Sequence, residues 1–118
     1  MLNDPILSSP RFPADLPQGR RFFVSRHPGA IEWARRHPWG VRTRFIAHLD
    51  VGQIESGDVV IGTLPIPLAA EVCARGARYL HLVIRLSAGQ RGTELSAAEL
   101  DEAGAWLVPC QVILQWRE

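Results

Sequence analysis

Apolar and polar positions along this chain switch between two periods, and the switches mark out its elements. Residues 21–24 read RFFV, a short apolar run leading into the polar cluster Ser25-Arg26-His27-Pro28-Gly29. In AIEWARRH, Ala30, Ile31 and Ala34 then recur at helical spacing, and the pattern stops before Pro38 and Gly40. VRTRFIAHL (41–49) returns to alternation and puts Val41, Thr43, Phe45, Ala47 and Leu49 on one predicted strand face. After a turn or single helical turn over 50–57, DVVIGTL (58–64) opens as a continuous β-branched run. A strand covered on both faces of a parallel sheet reads this way.

Pro65 and Pro67 suit the first turn of a helix, where a missing N–H costs nothing, and Gly76 is placed to end that helix. ARYLHLVIRL (77–86) predicts the next strand, with a loop over 87–92. Thr93 or Ser96 can cap the following helix, Glu99 completes a capping box with Ser96, and the helix is expected to run to about Trp106. The chain closes on LVPCQVILQW (107–116), strand-like, with Pro109 pointing to an edge or a bulge. This order predicts a single α/β domain of three layers, a mostly parallel sheet of about five strands with helices on both faces. The link over 50–57 is shorter than the roughly dozen residues a parallel crossover takes, so a minimal crossover is expected there. Residues 1–20 carry Pro5, Pro10, Pro13 and Pro17 without periodicity and read as a flexible extension to a domain over 21–118.

In an open parallel sheet, ligands sit beyond the carboxyl ends of the strands. Those predicted ends carry Ser25-Arg26-His27, then His48 and Asp50, then Gly62-Thr63, then Arg85 with Arg91 nearby. Gly29 and the helix start beside it offer backbone N–H groups to an anion. Arg26 adds a fork of donors that matches phosphate oxygens, and His27 can move a proton near neutral pH. The competing reading of SRHPG is a solvated helix start, and the motif alone weighs the two about evenly. In GTLP (62–65), Gly62 permits close backbone approach and Thr63 and Leu64 border the mouth of the next helix; taken alone, a turn that needs glycine for steric reasons is the stronger explanation. His48 and Asp50 can pair or lie apart at a solvated edge. His81, between Leu80 and Leu82, reads as a core histidine, and Trp33, Trp39, Trp106 and Trp116 as core or interface residues.

Composition narrows the chemistry. The 118 residues contain 13 arginines, no lysine and 12 acids, for a net charge of +1, which excludes a polybasic nucleic-acid coat and gives no reason to expect duplex DNA as partner. The charge is uneven: residues 1–44 hold eight arginines against Asp4, Asp15 and Glu32, and residues 45–118 hold five against nine acids. At 47% hydrophobic and 21% charged the chain is of ordinary globular composition, and no apolar run approaches the roughly 20 residues of a membrane span. Cys73 and Cys110 have no metal-binding spacing and read as small buried hydrophobes in a reducing cytoplasm. There is no GxxxxGK[ST] or GxGxxG loop, no GxSxG elbow, no helical zinc pair among His27, His37, His48 and His81, and no lysine for Schiff-base or pyridoxal-phosphate chemistry. What remains is a site for a phosphate-bearing ligand, with no cofactor and no metal expected.

The stretches FVSRHPGAIEWA, HLD and GDVVIGTLPIPLAAEVCARGARYLHL together resemble a family of small CRISPR-associated proteins, accessory factors of type III systems. The resemblance implies a ring nuclease: a minimal CARF (Rossmann-like) domain that binds cyclic oligoadenylate, cyclic tetra-adenylate foremost, and cuts it to end antiviral signalling. Metal-independent attack by the RNA's own 2′-OH fits the residues at hand, because the protein then needs mainly to position the ring. Arg26 and the amides near Gly29 are the candidate oxyanion donors, His27 the candidate acid or base, and Ser25 and Thr63 orienting groups. A two-fold axis in the ring implies a homodimer. Two other readings stay open: a non-catalytic sensor or sponge for the same ligand, and an RNA- or protein-binding subunit working through the Arg35–Arg44 cluster.

Overall fold

The β-branched run forms the buried centre of the sheet. In the computed structural model, which describes residues 16–84 and 95–115, β3 (Val59–Gly62) is buried at all four positions. It lies between β1 (Arg21–Val24) on one side and β4 (Arg78–Val83) on the other, parallel to both. β2 (Thr43–Ile46) pairs parallel with the far side of β1, and β5 (Trp106–Cys110) closes the other edge antiparallel to β4. The order β2-β1-β3-β4-β5 makes the five-stranded, mostly parallel sheet that the alternation of periods predicts. Pro109, unable to donate to a ladder on both sides, sits on an edge strand as expected.

Successive residues of the central strands feed two apolar layers. Phe23, Ile61 and Leu80 join Trp33, Trp39 and Leu100 beneath α1 (Pro28–Arg35) and α3 (Ala97–Glu102). Phe22, Val60 and Tyr79 join Val72 and Cys73 beneath α2 (Ile66–Ala74), with Ile54 from beside the 3₁₀ turn Val51–Gln53. Burying one large side chain of this kind contributes about 1.5–3 kcal/mol, so the double layer is what stabilises the domain. The helix boundaries follow local chemistry. Ser96 and Glu99 form the full reciprocal capping box at α3. α2 stops where Gly76 takes φ +82°, a conformation that favours glycine.

Four expectations are corrected. The strand expected over 41–49 is confined to Thr43–Ile46, because Pro38 starts a 3₁₀ turn that runs through Arg42 and buries Trp39. Its single apolar face is lost with it: Val41 is 82% exposed, Phe45 packs on the α1 side and Leu49 on the α2 side. The last helix ends at Glu102 rather than near Trp106, because Gly104 at φ +74° terminates it and Trp106 already begins β5. The strands flanking the short link are parallel, as expected, but they do not pair: β1 lies between them. The expected loop over 87–92, Thr93, Arg91 and Trp116 lie outside the described residues.

Packed structure extends upstream of Arg21. Leu16 is buried in the α1-side layer, and Arg20 grips the buried Asp58 through Nε at 2.9 Å and Nη2 at 2.6 Å. Asp58 also accepts from the Glu55 N–H at 2.8 Å, so the link before β3 is tied to the segment before β1. The Arg20 hydrogen bonds hold the Asp58 carboxyl below its ordinary value, against the opposing effect of burial. A carboxyl depressed in the fold contributes stability above its unfolded pKa, about 4, and loses it as pH falls through the folded value. Asp58→Asn is therefore expected to lower the melting temperature at pH 7, with the gap to wild type closing below about pH 4. Thermal unfolding across that range checks it; a gap that stays constant with pH would show that the ion pair is not its source.

Candidate ligand site at the carboxyl edge of the sheet

The two connections that leave the sheet's centre diverge. From β1 the chain crosses through α1 on one face to reach β2; from β3 it crosses through α2 on the opposite face to reach β4. The carboxyl ends of β1 and β3 therefore flank a crevice where the strand order reverses, the place where doubly wound sheets hold their ligands. In register, Val24 of β1 stands beside Gly62 of β3. Ser25-Arg26-His27 and Gly62-Thr63-Leu64, found separately along the chain, thus meet at one crevice.

The predicted residues among those described can be placed. Ser25 donates its N–H to the Ile46 carbonyl at 3.0 Å, and its Oγ accepts from the His27 N–H at 3.0 Å, which fixes the turn into α1 and leaves the hydroxyl proton available. Arg26 is exposed and has no ion pair or hydrogen bond among the described residues; His27, also exposed, is the N-cap residue of α1. The amides of Gly29 and Ala30 fall in the first turn of α1, where intrahelical acceptors are missing. Gly29 has a second explanation: a Cβ there would stand 1.7 Å from the Leu95 carbonyl oxygen, so the glycine lets α1 meet the start of α3. Gly62 adopts φ +153°, and a Cβ would stand 2.7 Å from the Val24 oxygen, so that glycine lets β3 close against β1.

The rest of GTLP is committed within the fold. The Thr63 hydroxyl donates to the Leu82 carbonyl at 3.3 Å, and the Leu64 N–H donates to the Tyr79 hydroxyl at 2.9 Å with the Leu64 side chain buried. His48 and Asp50 are both exposed and do not pair; the Asp50 carboxylate accepts from the Gly52 N–H at 3.0 Å and shapes the turn into Val51–Gln53. Arg85 lies outside the described residues. The Arg35–Arg44 cluster is partly spent on packing: Arg35 lies over the Phe45 ring at 4.9 Å, Arg44 over Phe22 at 6.0 Å, and Arg36 pairs with Glu32 at 3.4 Å.

Sequence reasoning missed the partners of one histidine. His81 is half-buried with its Nδ1 2.6 Å from the Tyr79 hydroxyl, and it stands in register with Gly62. The signal was present, since tyrosine and histidine two apart on a strand share a face. Burial raises the Tyr79 phenol above its ordinary value, so the hydroxyl stays neutral. Burial, then the neighbouring Cys73, likewise raises the Cys110 thiol, and both cysteines are free. Among the described residues no three His, Cys, Asp or Glu side chains gather as a metal-ligand set. A groove of about 390 Å³ between α2 and residues 111–114 shares no residue with the crevice.

The strand order and the two opposed crossovers define a doubly wound α/β fold with its switch point between β1 and β3. Among the described residues no helix is long and apolar enough to cross a membrane. Residues 22–113 match the family described as "Putative CRISPR-associated protein (Cas_VVA1548)", and the chain belongs to that family. The match includes both SRHPG and GTLP. No curated protein and no solved structure matches the chain.

Proposed function

We propose that this CRISPR-associated protein is a ring nuclease that binds cyclic oligoadenylate, with cyclic tetra-adenylate as the first candidate, and opens it by attack of a ribose 2′-OH on the neighbouring phosphorus. The observation that carries this reading is the meeting of Ser25-Arg26-His27 with Gly62 at the switch point, beside a guanidinium that the described fold leaves uncommitted. Membership of a CRISPR-associated family supports this reading, and the resemblance of the same stretches to small type III accessory proteins is the reason for choosing cyclic oligoadenylate as the ligand. In the reaction the 2′-oxygen bonds to phosphorus as the bond from phosphorus to the 5′-oxygen breaks, leaving a 2′,3′-cyclic phosphate and a 5′-hydroxyl. Arg26 and the amides of Gly29 and Ala30 face the charge that grows on the phosphoryl oxygens, Ser25 Oγ orients ribose, and His27 returns a proton to the leaving oxygen.

Incubation with cyclic tetra-adenylate in EDTA, followed by chromatography, is expected to yield linear products ending in the cyclic phosphate. A ring that is bound but intact after long incubation with excess protein favours a sponge; restoration by manganese favours a metal-dependent route. Steeply salt-dependent binding of ordinary single-stranded RNA, with no ring binding, favours an RNA-binding subunit. A two-fold ring spanning two copies of the crevice calls for a homodimer. Light scattering with and without ligand is expected to show a dimer, and a monomer in both cases removes that arrangement.

A further inference from the structure

Across the carboxyl edge, Val24, Gly62 and His81 stand side by side on β1, β3 and β4. Two residues earlier on each strand, Phe22, Val60 and Tyr79 belong to the layer under α2, so this row faces the same way. Gly62 contributes no side chain to the row, between Val24 on β1 and the His81 imidazole on β4. β1 and β4 are separated by one strand, so their axes lie about 10 Å apart, room for a phosphodiester between groups on the two ends.

The hydrogen bonds around Tyr79 decide how His81 is held. The Tyr79 hydroxyl accepts from the Leu64 N–H at 2.9 Å, lies 3.2 Å from the Gly62 carbonyl oxygen and 2.6 Å from His81 Nδ1. A phenol has one proton to give and two lone pairs to receive. All three contacts are satisfied together only when His81 donates from Nδ1–H and Tyr79 donates to Gly62. That tautomer leaves the Nε2 lone pair of His81 unprotonated. The other described candidates lack this: His37 is spent on the Trp33 carbonyl at 2.8 Å and stacked on Trp39, and His48 is exposed with no orienting partner among the described residues.

We infer that His81 is the general base of the crevice, accepting the ribose 2′-hydroxyl proton at Nε2, and that Tyr79 is its positioning residue. This rests on the ring-nuclease reading and completes it, because in-line transfer needs a proton removed at one end of the phosphodiester and supplied at the other. The 2′-O–H bond breaks to Nε2 of His81, the new O–P bond forms, the bond from phosphorus to the 5′-oxygen breaks, and His27 protonates that oxygen. No oxidant, reductant or third reactant enters.

The test starts from the wild type and cyclic tetra-adenylate in EDTA. His81→Gly is expected to lower kcat about 10²-fold, and added imidazole to restore part of it, at unchanged affinity for a ring whose attacking 2′-hydroxyls are methylated. Tyr79→Phe is expected to lower kcat less, at unchanged KM. Nitrogen NMR of the wild-type imidazoles is expected to show His81 as the Nδ1–H tautomer, which needs no substitution to survive folding; His81→Gln supplies the rate comparison if the glycine variant does not fold. A wild type that leaves the ring intact overturns the ring-nuclease reading and this inference together. A wild type that cleaves, with a His81 variant equally fast, or no response to imidazole, or an Nε2–H tautomer, overturns the inference alone.

Discussion

Gly29→Ala is expected to destabilise the fold by about 3 kcal/mol, the upper end of ordinary overpacking. The added methyl would stand 1.7 Å from the Leu95 carbonyl oxygen, 2.8 Å from its carbon and 3.1 Å from Ser96 Cα. All three atoms are backbone, so no side chain can rotate away. Relief requires α1 and α3 to separate, and those helices carry Trp33, Ala34 and Leu100 into one apolar layer. Gaps of half an ångström or more forfeit a quarter to a half of each dispersion contact along that seam. For a domain of this size the loss corresponds to a fall in melting temperature on the order of 10 °C or more. Gly52→Ala, whose new methyl meets only the Asp50 carboxylate at 3.2 Å, is the control and is expected to melt near wild type. If Gly29→Ala melts within about 2 °C of wild type but loses ligand, the glycine is there for the ligand and the helix contact is slack.

The contrast between Gly29 and Gly62 shows how much of the fold was open to sequence reasoning. β3 was legible because a strand buried on both faces has to be apolar throughout, and Val59, Val60 and Ile61 are. Parallel order was legible from the alternation of strand and helix. The capping box at Ser96 and the stop at Gly76 were legible because each is a local bargain between a few backbone groups. The strand after Pro38 was misread because alternation in VRTRFIAHL mimics a long strand, whereas its first two residues, Val41 and Arg42, belong to the 3₁₀ turn Pro38–Arg42 that buries Trp39. Gly29 lay beyond local reasoning altogether: its need for hydrogen in place of a side chain comes from Leu95, sixty-six positions away.

The site divides along the same line. That Ser25-Arg26-His27 and Gly62 lie at strand ends follows from pattern; that they share one crevice follows from the reversal of strand order between β1 and β3, which no periodicity carries. Thr63 and Leu64 fitted a ligand-binding turn by type, yet their donors go to Leu82 and to Tyr79. Asp50 similarly serves Gly52 rather than His48. Polar residues at a strand end are needed by the fold as often as by a ligand, and only the hydrogen-bond accounting separates the two. Arg26 survives that accounting because nothing among the described residues uses its charge.

Arg26→Ala is expected to slow ring cleavage about 10²–10³-fold, the cost of one fixed donor to a developing oxyanion. The melting temperature is expected to stay near wild type, because an exposed side chain without a partner contributes within about 0.5 kcal/mol. The separation of these two readouts is the point of the experiment: a structural arginine such as Arg20, bonded twice to the buried Asp58, would move both. Arg26→Lys tests the shape of the donor. Lysine keeps the charge but replaces a planar fork with a single ammonium, so it is expected to recover ligand affinity more than rate. Rising salt is expected to weaken wild-type binding and to weaken the Arg26→Ala protein less, since one screened contact has been removed. His27→Ala completes the comparison through proton transfer alone, lowering rate with little change in affinity. If Arg26→Ala and His27→Ala both keep wild-type rates and affinity, the reaction takes place elsewhere on the molecule, and the crevice at the β1 and β3 ends is a turn built for the fold.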